Sequence, residues 1–249
     1  MFELGMKSHQ GKVRQTNEDS FHVDIGELDG EEYALLAVAD GMGGHRAGEV
    51  ASQTAINCFS QEFLSVFREE TSPLLALEIA VRRSNQKVYE QAESDYLLTG
   101  MGTTLTAALL WQNQLLMAHV GDSRLYVCRG ESCQQLTNDH SLVGELLKNG
   151  GLSEEEAQQH PQRNLILRAL GTDPIVEVDL LTLDLLPSDV VLLCSDGLST
   201  VLSKAELAGI IGRNRSLQQA AEEMVETANN RGGLDNITAV MAKWRWECA

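Results

Sequence analysis

The stretch EEYALLAVAD, residues 31–40, is apolar from Tyr33 to Ala39 without alternation and then ends on an acid. A strand of that composition has to be covered on both faces, which rules out a sheet with one wet side. Comparable apolar runs recur in GTTLTAALLW (102–111), LLMAHVGDSRLYVCRG (115–130) and DVVLLCSDG (189–197). The first two of these are separated only by the QNQ turn, and SCQQLTND follows as a further strand, so the middle of the chain reads as an antiparallel meander. From Ala47 the period changes: Val50, Thr54, Cys58, Phe59, Phe63, Val66 and Phe67 follow helical spacing. A second helix starts after Ser72, placed to cap it, with Pro73 tolerated in the first turn.

SLVGELLKNGG (141–151) predicts a helix stopped by its two glycines, and SEEEAQQHP (153–161) a short one with Ser153 and Glu156 in capping-box positions. Strands resume at FHVDIG near the start and at IVEVDLLTL (175–183) and NITAVMAKWRW (236–246) near the end, with helices from Ser203 and Ser216 between the last two. Residues 140–173 carry no strong strand signal and are expected to form an excursion over a site. Strands and helices in blocks, without strict alternation, predict an α+β domain with helices on packed sheets. At 249 residues and 43% hydrophobic content, one domain is expected.

A formal charge of -17 argues against a phosphate backbone or an anionic membrane surface as partner. The opening residues lack the pattern of a signal peptide and no apolar run has the length of a membrane span, so a cytoplasmic protein is expected. The five cysteines, Cys58, Cys128, Cys133, Cys194 and Cys248, lack CxxC spacing and are expected to be small hydrophobes, with no disulfide framework and no zinc site.

Four acids stand beside glycine at the boundaries of elements: Asp40 in VADGM, Asp122 in HVGDSR, Asp196 in CSDG and Asp235 in GGLDN. Any one of them is ordinarily a turn former or a helix cap. Carboxylates gathered in one cleft raise each other's pKa unless a cation neutralises them, and all-oxygen donors suit magnesium or manganese over zinc. Two such ions about 3.5–4 Å apart can clamp a phosphoryl group and bring a bridging water to a pKa near 7. The segment DGMGGHRAGEVA lacks the acids of an EF-hand, and no Lys-Ser or Lys-Thr completes a phosphate-binding loop.

The ordered set RQTNED, VADGMGGHRAGE, GTTLTAAL, HVGDSRLYV, LTNDHS, CSDGLS and LDNITAV resembles the type 2C metal-dependent protein phosphatases, in particular the compact bacterial serine/threonine phosphatases. The resemblance runs over essentially the whole chain. It implies a central antiparallel β-sandwich flanked by α-helices on both sides, with 1–249 as a single catalytic domain and a substrate-selecting flap at about 140–173. It further implies that Asp40 bridges two magnesium or manganese ions, that the Gly41 carbonyl binds one, and that Asp196 and Asp235 serve the other. Asp122 and Asp196 are implied to hold a third, weaker ion, Glu18 or Asp19 to act through metal-bound water, and Arg14 to hold substrate phosphate, a role its planar fork of donors suits.

Animal members have His after the Asp-Gly pair, where this chain has Met42; bacterial relatives place a His three residues on, here His45, which is the candidate general acid. For His140, in NDHS, a structural hydrogen-bonding role is expected. Met42 is read as packing, His119 as a satisfied buried imidazole, and Trp111, Trp244 and Trp246 as core or edge packing. The expected activity is hydrolysis of phosphoserine and phosphothreonine in proteins by a metal-bridged hydroxide. The expected partners are phosphorylated proteins, including substrates of a bacterial serine/threonine kinase and the kinase itself, met by a monomer. A catalytically silent relative that binds or senses would lack the metal aspartates, and all four are present. Small phosphomonoesters are the remaining substrate class.

Overall fold

The computed structural model describes residues 1–28, 30–43, 47–69, 72–153, 156–157 and 159–244. Their strands are β1 (Phe2–His9), β2 (Asp19–Leu28), β3 (Glu31–Met42), β4 (Gly102–Thr103), β5 (Leu105–Trp111), β6 (Gln114–Val120), β7 (Arg124–Arg129), β8 (Ser132–Gln135), β9 (Asp179–Asp184), β10 (Val190–Cys194) and β11 (Ile237–Trp244). The helices are α1 (Ala47–Glu69), α2 (Pro73–Ser94), α3 (Leu142–Lys148), α4 (Asp196–Ser199), α5 (Lys204–Arg213) and α6 (Leu217–Asn230).

Two antiparallel sheets result, one in the order β1-β11-β10-β7-β8 and the other in the order β2-β3-β5-β6-β9, with β4 paired to the end of β3. The unbroken apolar runs are explained by where their two faces go. Ala34, Leu36 and Val38 of β3 face the other sheet, where Val191 and Leu193 of β10 and Val240 and Ala242 of β11 meet them. The alternate residues Tyr33, Leu35, Ala37 and Ala39 face α1 and α2. On the far side Val190, Leu192 and Cys194 pack with Ile237, Ala239 and Met241 against α5 and α6. The layers are helix, sheet, sheet, helix, as expected.

Details of the helices depart from the periodicity. The buried stripe of α1 keeps the expected Phe59, Phe63, Val66 and Phe67, but its first half runs through Ala51, Ala55 and Ile56, one step round from Val50, Thr54 and Cys58. The alanines carry contact surface that a count of large apolar residues misses, and Thr54 is turned to α2, where its hydroxyl bonds Gln91 at 3.0 Å. Phe59, Phe63 and Phe67 stack along the helix, and Tyr33 and Trp111 meet Phe67 edge-on at 5.7 and 5.6 Å. Trp244 likewise meets Phe2 edge-on at 4.6 Å, whereas Trp246 lies outside the described residues. Ser72 caps α2, Ser141 caps α3, Ser216 caps α6, and Ser203 forms a full capping box with Glu206. The expected cap at Ser153 and Glu156 is present, while much of the helix after it lies outside the described residues.

The QNQ turn is a two-residue hairpin in which Gln112 and Asn113 both have positive φ, 49° and 63°, matching the twist of β5 and β6. The strand expected from Ile175 begins only at Asp179, because Val176 and Val178 pack on the α2 side and Arg82 takes the Val176 carbonyl at 2.9 Å. The expectation of unpaired cysteines is corrected at one site. Cys128 and Cys133 stand directly opposite in the β7–β8 hairpin and form a disulfide, their Cα atoms 4.0 Å apart. A tight turn at Gly130, with φ +58°, brings together two residues whose spacing fits no common sequence pattern. Cys58 and Cys194 are free, and Cys248 lies outside the described residues.

Candidate active site

The four predicted aspartates come from four different elements and are carried to one end of the sandwich. Asp40 sits near the end of β3, its amide donating to Thr104 Oγ1 at 2.8 Å and its carbonyl accepting from Thr103 Oγ1 and the Thr104 amide at 2.9 Å each. Asp19 is its direct partner across β2 and β3. The carboxylate of Asp19 crosses to the other sheet, where Oδ2 accepts from Ser195 Oγ at 2.7 Å and Thr238 Oγ1 at 2.6 Å. Asp196 follows Ser195 and opens α4. Asp235 stands just before β11, and a side chain on Gly197 would collide with the next residue's carbonyl, Asn236 O, at 2.0 Å.

Asn236 holds the opposite loop, accepting the Glu18 amide at 2.8 Å and donating to the carbonyls of Gln10 and Thr16. Glu18 lies against the start of α1, since a Cβ on Gly48 would meet its carboxyl at 2.8 Å. Gly41 is equally constrained: a Cβ there would lie 2.0 Å from Gly48 O. The glycine that sequence reading assigns to ion approach is therefore also needed for α1 to seat on β3.

Asp122 is buried in the turn after β6, beside Gly121, whose φ of +113° is a glycine conformation. Thr104 joins this turn to Asp40, with its hydroxyl 2.7 Å from Ser123 Oγ. His119 is buried and satisfied as expected, between Thr106 Oγ1 at 2.9 Å and Asn138 O at 3.1 Å, and burial lowers its pKa to about 4. The ring of His140 accepts from the Gly121 amide at 3.0 Å and faces Asp179 at 3.2 Å, the structural role expected of it. Met42 packs over Gly102, where an added Cβ would meet its Cε at 2.7 Å. His45 lies outside the described residues.

The electrostatics are those of buried acids with little counter-charge. Burial is the largest cause of each rise: Asp19 and Asp122 are pushed up to about 7, Asp196 to about 6, and Asp40 well above the usual carboxylate range. Repulsion from neighbouring aspartates adds to each. Arg14, predicted to meet phosphate, pairs instead with the predicted metal ligand Asp235 at 2.7 Å, and that bond raises its own pKa.

The donor set fits a hard divalent cation. Asp19 Oδ1 is buried and has no hydrogen-bond partner among the described residues, so one carboxylate oxygen is held by the fold without a described donor. The surrounding oxygens are carboxylate and carbonyl, the ligand chemistry of magnesium and manganese. Among the described residues no three His, Cys, Asp or Glu side chains converge as a finished cage. What sequence reading missed is the second rank: Thr103, Thr104, Ser195, Thr238 and Asn236. All lie inside quoted motifs, but hydroxyls at strand ends look like ordinary strand residues.

A family model described as protein phosphatase 2C matches residues 7–244. The serine/threonine phosphatase stp of Listeria innocua is 41% identical over 243 residues, covering 95% of this chain and 94% of the relative. The crystal structure of the Mycobacterium tuberculosis serine/threonine phosphatase PstP/Ppp superposes with a TM-score of 0.86 at 38% identity, over 98% of this chain and 99% of that one. The catalytic domain of serine threonine protein phosphatase PstP in complex with two manganese ions superposes with a TM-score of 0.83 at 37% identity, over 97% of both chains.

Proposed function

The chain belongs to the protein phosphatase 2C family, and from that premise we propose how its residues divide the work of a metal-dependent protein serine/threonine phosphatase. The observation that carries the reading is the buried aspartate group, Asp19, Asp40, Asp122 and Asp196, delivered from separate elements to one end of the sandwich, with an oxygen on Asp19 that has no partner among the described residues. Asp40, the Gly41 carbonyl, Asp196 and Asp235 would hold the two core ions. Asp122 and Asp196 would hold a third, weaker ion. Glu18 or Asp19 would act through water. Magnesium or manganese so held supplies positive charge against the phosphoryl oxygens and a water acidified to a pKa near 7.

The rest falls to the chain. Thr103 and Thr104 fix the backbone of Asp40, so its carboxylate keeps its direction when charge develops. Ser195 and Thr238 engage one oxygen of Asp19 and leave the other to orient a water. Arg14 exchanges Asp235 for the phosphate, since a dianionic ester offers its fork two oxygens at once. His45 remains the candidate acid for the leaving alkoxide; His140 is not, because both ring nitrogens are engaged.

The substrates are proteins phosphorylated on serine or threonine, a serine/threonine kinase and its targets among them, met by a monomeric cytoplasmic domain spanning the chain with 140–173 as its flap. Among the described residues no helix is long and apolar enough to cross a membrane. The test is phosphate release from a phosphothreonine peptide. Release should require manganese or magnesium, stop with chelator, and fall more than about 100-fold in Asp40→Asn, since even outer-shell partners of a metal site cost 10–100-fold. No release by the folded wild-type chain under either ion would overturn the proposal.

A further inference from the structure

Gly121 is the one residue between β6 and Asp122, and its φ of +113° leaves it free of the side-chain restraint that fixes other backbone positions. Both of its polar backbone groups are held by a single residue. The His140 amide donates to Gly121 O at 2.8 Å, and the Gly121 amide donates to His140 Nδ1 at 3.0 Å. An amide can only donate, so Nδ1 has to be the bare nitrogen of the ring. The other face takes up the ring proton. Nε2 lies 3.2 Å from Asp179 Oδ2, and Arg168 Nη1 bonds Asp179 Oδ1 at 2.8 Å while standing 3.1 Å from the same Nε2. With Nδ1 accepting from Gly121, the one ring proton of a neutral imidazole sits on Nε2, where the Asp179 carboxylate accepts it, and Arg168 Nη1, which can only donate, is directed to Asp179 and not to Nε2. His119, 4.7 Å away ring to ring, and the backbone bond from Leu167 to His140 O at 2.8 Å restrict the imidazole further.

We propose that His140 is a positioning residue for Asp122: it clamps both backbone groups of Gly121, with its tautomer set by Asp179, and so fixes the direction in which the Asp122 carboxylate meets a divalent ion. This rests on the reading of Asp122 as a ligand of the third ion. It also gives the segment around Leu167, Arg168 and Asp179 a part in the chemistry without contact to substrate.

The experiment is a manganese titration of the full chain followed by the resonance signal of free ion, which counts binding without turnover. The variants are Asp122→Asn, His140→Gln, His140→Asn, and the double variant of Asp122→Asn with His140→Gln. Asn places an oxygen where Nδ1 stands, whereas Gln keeps only a donor toward Asp179. His140→Gln should weaken the binding phase that Asp122→Asn removes, by about 10–100-fold. His140→Asn should recover most of that loss, and the double variant should match Asp122→Asn alone. Should His140→Gln not fold, Asp179→Asn, on the partly exposed strand β9, carries the same expectation, because an amide there can donate to Nε2 and move the proton to Nδ1. Equal losses in the Gln and Asn variants, a double variant that loses the tighter phases too, or a wild-type chain with no phase that depends on Asp122 would each overturn the proposal. Peptide turnover is read separately: ion binding without phosphate release would sink the functional reading and leave His140 judged by the titration.

Discussion

Asp19 and Asp40 face each other across two strands, yet the protein treats them differently. Asp40 is fixed through its backbone and its carboxylate is left to the site, whereas one oxygen of Asp19 is spent on Ser195 and Thr238. His119 presents the reverse problem, a base kept neutral by burial with its pKa lowered to about 4. Its folded-state value lies below the unfolded one, so its contribution is complete above pH 6.5 and is lost as pH falls toward 4. A shift of that size corresponds to roughly 3 kcal/mol at full effect. The site aspartates titrate in the opposite sense, so the measurement has to be a difference. In chelator, the gap in urea-unfolding stability between wild type and His119→Gln should narrow as pH falls from 7 to 4; a gap that does not move with pH contradicts the assignment. At this scale the sequence disclosed the acids, because each interrupts an apolar run beside a glycine. It did not disclose the pairing of Arg14 with Asp235, which joins residues at opposite ends of the chain, nor the hydroxyls that hold Asp19.

Among the elements, α1 joins the core to the site. Its phenylalanine stack anchors the middle of the helix, and its first turn rests on Gly41 with no room for one more carbon. Gly41→Ala should therefore cost about 1–3 kcal/mol of stability, the usual range for overpacking, and should displace the start of α1 from Glu18 and Asp40. Thermal unfolding and peptide turnover should fall together; an alanine variant with wild-type stability would show that the strand end yields. Phe63→Ala should cost more, about 3–5 kcal/mol, because Phe63 is fully buried. Helix starts were readable from Ser72, Ser203 and Ser216, since a capping hydroxyl acts over three residues. On α1 the periodicity located Phe59, Phe63, Val66 and Phe67 and missed by one step in the first half, because alanines count little by size and much by contact. The Cys128–Cys133 bond was illegible because a strand register, which no local spacing encodes, decides it.

For the whole molecule, layer order followed from the unbroken apolar strands, which demanded cover on both faces, whereas the meeting of four chain segments at one end is a product of topology. Charge is the other whole-molecule property. At -17 the protein should draw cationic phosphopeptides and repel acidic ones. The specificity constant for a lysine-flanked phosphothreonine peptide should fall several-fold between low salt and 0.5 M salt, while that of a glutamate-flanked peptide should rise or stay level. If both fall in parallel, salt acts on the ions and not on encounter.

The two bonds that Asp19 accepts from Ser195 and Thr238 cross between sheets whose facing sides are mostly hydrocarbon. Oily plates attract without preferring one alignment, because hydrophobic contact has no direction. A carboxylate gripped by two hydroxyls does have one, so Asp19 acts as a dowel between the halves. Sliding one plate over the other by a fraction of a residue would leave the interior content and misplace every acid at its edge. The same pin that aligns the halves thus makes the chemistry a gauge of that alignment, and a variant that loosens it should lose turnover well before it loses its fold.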